Sequence, residues 1–394
     1  NKNIDVIGTS KIDKKIYVSV LSIKNGKLLN NEKYKFDDIG DEEDSGGRVE
    51  SNNTIYSICK SGVTSGLSFR SAENLDVGCY SIGVASVGDY VIFGGGYYYT
   101  NKVTAYDQSL TKILPTVLTN SVEEPSAGGI GGYALFCGGE GSGLGAVYSN
   151  VDKYDTSLTK STLANLSYAS SGKFSANIGD SYLIFVGGFS FNDTDRYTEA
   201  FAYNTSLTRT NATSLSTAAQ FSNEGVSIGE YALFSGLFYD SSSASTVNAY
   251  NASLTRTVAT SLSVDRYNGA SASVGDYAVI VGGYYYNTGE RYATCDVYNK
   301  SLTRSSGTSL SDVRNALAGA STTNYAVFAG GTPNGSTPLT VCESYDSTLT
   351  KTIQPNMDNP SFSLKGIGHG KNAFFVGGRG VGTRLPYVQV FSEP

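Results

Sequence analysis

The chain has 394 residues, 16% of them charged and 40% hydrophobic, with 46 glycines and a formal net charge of −6. That apolar share excludes a disordered chain, and 29 Lys and Arg against 35 Asp and Glu give no basic stripe to track a phosphate backbone, so nucleic acid is not an expected partner. A single histidine, His369, rules out every centre that needs two imidazoles, so neither a metal nor another cofactor is expected.

Residues 1–60 carry no repeat. KKIYVSVLSIKNGKLL from Lys14 reads as two strands joined at Asn25-Gly26, a hairpin signal, and TIYSIC from Thr54 reads as another strand. DDIGDEED from Asp37 to Asp44 fits no EF-hand spacing and reads as a solvated linker. The segment is expected to be a small β appendage that docks to a larger assembly, with residues 61–394 as a separate domain. No apolar run approaches the roughly 18 residues that cross a bilayer, so membrane insertion is not expected.

From residue 66 onward the chain repeats. SVGDYVIFGGG, GIGGYALFCGG, IGDSYLIFVGG, SIGEYALFSGL, SVGDYAVIVGG, TTNYAVFAGG and GHGKNAFFVGG are seven copies of one unit, with aligned glycines at Gly95, Gly138, Gly187, Gly236, Gly282, Gly330 and Gly377. Each run is short and bulky between turn residues, which suits a strand. Two residues before the glycine stand Phe93, Phe136, Phe185, Phe234, Ile280, Phe328 and Phe375, one large apolar side chain per unit and hence a shared core layer. A second motif follows: YDQSLT, YDTSLT, YNTSLT, YNASLT, YNKSLT and YDSTLT, starting at Tyr106, Tyr154, Tyr203, Tyr250, Tyr298 and Tyr345, with Phe391 in the seventh copy. Asx followed by Ser or Thr two residues on is turn chemistry. It also explains the Asn-x-Ser/Thr sequons at Asn204, Asn251 and Asn299 without glycosylation. Three residues before that Tyr come Val103, Val151, Ala200, Val247, Cys295 and Cys342, so those cysteines fill an apolar slot; with Cys59, Cys79 and Cys137 they make an odd total without CxxC spacing, and structural thiols are expected.

Four short strands in about 47 residues is the period of a propeller blade. The last unit stops after its third strand, while GLSFRSAENLDVG from Gly66 aligns with SLTRTVATSLSVD from Ser253, Leu67 matching Leu254. An N-terminal strand is therefore expected to complete the last blade, which removes an open edge. On the Gly-Gly doublet and the aromatic-Asx pair 11 to 16 residues later, residues 66–394 resemble the kelch family of β-propellers. One departure is the absence of Trp: Ile113, Thr162 and Thr257 occupy the usual places. The resulting expectation is an all-β, seven-bladed kelch-like propeller with four-stranded antiparallel blades.

The resemblance implies that the loops between second and third strands, and those between blades, share one face that binds partners. Here those loops vary while the opposite hairpins repeat. They carry Tyr97, Tyr98, Arg196, Tyr197, Tyr239, Tyr284, Tyr285, Arg291, Arg379 and Arg384 after the glycine pairs, and Arg266, Tyr267 and Arg314 between blades. Tyr rings with Arg suit both the apolar side of a pyranose and protein hot spots. The leading expectation is thus a non-enzymatic binding module for a glycan or surface protein, extracellular, on a cell surface or on a virion such as a phage tail. An enzyme resembling sialic-acid mutarotase and working in the central funnel is one alternative, and a purely structural propeller is another. Copper oxidases of this architecture need two His, and the Gly138 cluster GGEGSGLGAV lacks the lysine of a phosphate loop. No catalytic set can be argued around His369.

Overall fold

A computed structural model describes residues 66–142, 146–190, 196–219, 223–237 and 245–394, and the backbone of five strands before them. The chain divides into two compact units, residues 1–64 and 65–394. In the first, Ile4–Ile12, Lys15–Lys24 and Lys27–Phe36 form an antiparallel meander, and Gly47–Ser51 pairs with Thr54–Ile58. Lys24 pairs with Lys27, and Asn25-Gly26 lies outside the described residues. The acidic stretch 37–44 and Cys59 lie outside the described residues.

The second unit is a seven-bladed β-propeller, and no helix occurs among its described residues. Blades I to VII begin with innermost strands Gly83–Val87, Ser126–Ile130, Phe174–Ile178, Val226–Ile228, Ala270–Val274, Ala318–Ser321 and Lys365–His369. These strands neighbour one another around the whole circle, Lys365–His369 meeting Gly83–Val87. The close spacing demands small residues there: a Cβ at Gly366 or Gly368 would run into the backbone of Gly319 or Ser321. Blade VII is Lys365–His369, Asn372–Val376, Val388–Ser392 and then Ser68–Ser71, with Phe391 opposite Phe69 and Val390 opposite Arg70. The expected closure is what the fold shows. The Phe69 and Phe391 rings lie 5.2 Å apart, Leu67 is buried, and the Arg70 guanidinium donates to Ser392 Oγ and Asn372 Oδ1.

The repeated residues build the joints between blades. Phe374, Val376, Val388 and Val390 of blade VII pack with Val91, Phe93 and Tyr106 of blade I in one core, and equivalent cores follow round the ring. Phe136 meets Tyr154 edge-on at 5.8 Å, and Phe328 meets Tyr345 the same way. A buried tyrosine hydroxyl usually finds a partner; Tyr154 donates to the Thr116 carbonyl at 2.6 Å and Tyr298 to that of Thr260 at 2.7 Å. The free cysteines Cys79, Cys137, Cys295 and Cys342 are buried in these cores, and burial pushes their thiols up to about 12.

In the outer turns the Asx oxygen caps the backbone. Asp107 Oδ1 accepts from the N–H groups of Ser109 and Thr111, as Asn251 Oδ1 does from Ser253 and Thr255. The Leu of each motif then takes a left-handed conformation, φ +56° at Leu254 and +68° at Leu110, which costs backbone energy for a non-glycine residue. What offsets it is burial: Leu254 joins the core between blades III and IV. The first glycine of every doublet has φ between +64° and +72°, and at Gly138 a Cβ would strike the Ser170 carbonyl.

Candidate ligand-binding face

The loops after the glycine doublets and those between blades are joined by isolated bridges, Tyr267 to Tyr284, Asn315 to Thr332 and Phe362 to Arg379 among them. Both loop sets therefore lie on one face, around the mouth of a central channel of about 700 Å3. Backbone bonds tie the rim: Glu124 N–H donates to Ser81 O, Gly172 N–H to Glu124 O, Ala316 N–H to Asn268 O and Ser363 N–H to Ala316 O. Ser81, Glu124, Asn268, Ala316 and Ser363 all take φ of +50° to +57° to do so. Lys365 Nζ stands 3.2 Å from Glu224 Oε1; Lys365 opens the innermost strand of blade VII and Glu224 stands just before that of blade IV, so the pair spans the mouth. Burial pushes the Glu124 carboxyl up, partly offset by the Ser81 hydroxyl and Lys365.

Three aromatic–cation clusters surround this mouth. Between blades VII and I, Tyr80 and Tyr97 stack at 4.4 Å, Arg379 lies over Tyr80 and Phe362, and Arg384 lies over Tyr97 and Tyr98. At blade V, Tyr284 and Tyr285 pair with Arg291 and Glu290 in a small hairpin. There the Arg291 guanidinium sits 5.0 Å over Tyr284 and donates to Asn315 Oδ1, while Tyr267 meets Tyr284 edge-on. Burial pushes the Tyr267 hydroxyl up to about 12. At blade III, Arg196 lies over Phe189 and Tyr197 stacks on Tyr168. Beside them the buried Lys173 donates to Gly187 O at 3.0 Å, and burial lowers its ammonium to about 8. A cavity of about 160 Å3 adjoins it, lined in part by Tyr168, Glu199 and Arg209.

Two expected face residues are placed otherwise. Arg266 and Arg314 are 0% exposed, Arg266 paired with Asp296 at 2.8 Å and Arg314 with Glu343 at 2.7 Å, so their guanidiniums tie the loop between blades to the blade that follows and do not face a ligand. Tyr239 lies outside the described residues. His369 ends the innermost strand of blade VII at the face opposite the loops. Sequence reasoning missed Tyr80, Phe362, Glu124, Glu224 and Lys365. Their signal was available, since each stands just before or at the start of an innermost strand where the repeats differ.

It also missed a buried column two residues before the repeat tyrosine. Asp152, Asn248, Asp296, Glu343 and Gln389 each accept the backbone N–H of a loop residue: Thr119, Ser216, Ser263, Ser311 and Asn359. Blade III has Phe201 there instead, and the 160 Å3 cavity lies at that blade.

The fold thus defines a β-propeller whose loop face is the candidate site. No family model matches the chain, and no curated protein matches it. Among solved structures it is similar to one titled "Structure of YjhT", with 14% identity, a TM-score of 0.57, and coverage of 72% of this chain and 99% of that one. That likeness supports the propeller fold alone.

Proposed function

We propose that the propeller is a non-catalytic binding module recognising a glycan or a surface protein through its loop face. The supporting observation is the set of arginines laid over tyrosine and phenylalanine rings around the channel mouth. Rigid rings supply contact area at low entropic cost, and guanidiniums supply fixed donors. The kelch-like assignment belongs to this reading, supported by the Gly-Gly and Tyr-Asx motifs. So does an extracellular setting, on a cell surface or phage tail, supported by the low charge content.

The test is a screen of the full chain on a glycan array and on intact cells, repeated with Tyr284→Ala and Arg291→Ala. Each variant is expected to weaken binding by about 2 kcal/mol, roughly thirtyfold, the scale of interface hot spots. Absence of binding to any glycan or cell would overturn the proposal and favour a structural propeller docked through residues 1–60. One observation favours a second reading, sugar isomerisation in the funnel: an acid with a raised pKa, Glu124, shares the mouth with the Glu224–Lys365 pair. Exchange NMR on free sugars, with and without protein, decides that reading by the presence or absence of accelerated anomer exchange.

A further inference from the structure

We propose that Arg379 and Arg384 form a subsite for a carboxylate-bearing saccharide, so that the ligand is an acidic glycan; this rests on the glycan half of the reading above. The loop after the Gly377-Gly378 doublet folds back on itself, Gly380 N–H donating to Thr383 O at 2.9 Å, and Arg379 and Arg384 face each other as an antiparallel bridge. Like charges directly opposite one another across a strand pair are destabilising. Neither guanidinium joins an ion pair among the described residues, although the chain carries a net charge of −6. The carboxylates of this quarter, Glu123, Glu124 and Glu140, act on one another.

Aromatic rings hold both arginines in place. Arg379 lies 5.1 Å from the Tyr80 centroid and 5.3 Å from that of Phe362; Arg384 lies 3.5 Å from Tyr98 and 4.7 Å from Tyr97. Tyr98 is 63% exposed, and its backbone takes φ +75° with Tyr99 at +54°. Two consecutive non-glycine residues in the left-handed region store strain, and such strain clusters at ligand sites.

A planar carboxylate accepts two parallel N–H bonds from a guanidinium. Placed between Arg379 and Arg384 it would cancel their repulsion, while the open part of the Tyr98 ring takes the apolar side of the attached pyranose. Tyr80 also lines the channel mouth, beside the hydroxyl-bearing Ser81 and Ser363. That surface suits a hydroxylated chain better than the apolar side chains of a folded protein.

Titration calorimetry of the full chain tests this, with tetragalacturonate and a hyaluronan tetrasaccharide as acidic probes. Methyl-esterified tetragalacturonate and maltotetraose serve as neutral ones, and a sulfated, uronate-free carrageenan tetrasaccharide as the non-carboxylate anion. An acidic probe is expected to bind at least tenfold tighter than its neutral and sulfated counterparts. Arg379→Gln and Arg384→Gln should each erase that preference, and Arg384→Lys should recover only part of it. Lys300→Gln, in an outer turn of blade V away from the loop face, should leave both affinity and preference intact, and thermal unfolding of each variant verifies the fold. Equal binding of acid and ester, equal binding of the sulfated probe, or a preference that survives Arg384→Gln overturns the subsite and leaves the glycan reading standing. Silence of the folded protein toward every saccharide ends both.

Discussion

Folding brings the carboxyls of Glu123, Glu124 and Glu140 to one corner of blade II, and the pH response of stability follows from that. Burial, reinforced by Glu124 and Glu140, pushes Glu123 from an ordinary 4.5 up to about 7. A carboxyl whose folded-state pKa is raised favours folding in its protonated form, so its contribution is lost as pH rises from about 4.5 to about 7. Glu123→Gln is therefore expected to raise the melting temperature at pH 8 and to leave it unchanged at pH 4; an effect independent of pH would contradict the assignment. The turn carboxylates act in the opposite sense. The Ser157 hydroxyl and the Thr159 N–H hold Asp155 low, and the Thr348 hydroxyl leads for Asp346, so their contribution is lost as pH falls below the ordinary carboxylate range. The turn aspartates were legible in sequence, because their capping partners lie within four residues. The Glu123–Glu140 proximity was not, since it depends on how two variable loops pair.

At the scale of the strand and its loop, a buried acceptor on the third strand of blades II, IV, V, VI and VII ties down the loop arriving from the preceding blade, and in blades V and VI the acceptor is a carboxylate closed off by Arg266 or Arg314. Both partners are 0% exposed, and removing one partner from such a pair leaves an uncompensated charge, a loss of roughly 3–5 kcal/mol. Arg314→Met is expected to fall in that range by denaturant unfolding. Both it and Arg266→Met should fall at the lower end, because Lys351 still pairs with Glu343 at 2.9 Å and Arg304 with Asp296 at 2.8 Å. Replacing Arg314 and Glu343 together by apolar residues should recover most of the loss. Sequence reasoning read Arg266 and Arg314 as face residues because each stands in a variable loop, and nothing local tells an arginine that reaches solvent from one that turns inward. The deciding partner lies 30 residues away for Arg266 and 29 for Arg314. An Asp or Glu in the column two residues before the repeat tyrosine, with an Arg in the preceding loop, would have been the sign to read.

For the whole molecule, strand number, blade number and the borrowed closing strand were all legible, because each is written seven times or in a matching half-unit. The ligand was not, because it depends on residues that differ from copy to copy. Removing residues 1–64 is expected to leave the propeller's unfolding midpoint nearly unchanged, whereas removing residues 1–71 uncovers the Val388–Ser392 edge. An uncovered edge is a template for association, so the shorter chain should aggregate at light-scattering concentrations where the longer one does not. Equal behaviour of the two would mean that the closing strand is dispensable. That strand also decides how the propeller would bear a load. Ser68 pairs with Ser392 on the side away from the loops, and Ser71 pairs with Gln389 toward them. Ladder bonds run across the strands, so tension applied between the loop face and Gly66 pulls along the strand. The four pairings then resist together in shear instead of opening one after another, so the strand that closes the ring is also held against being drawn out of it.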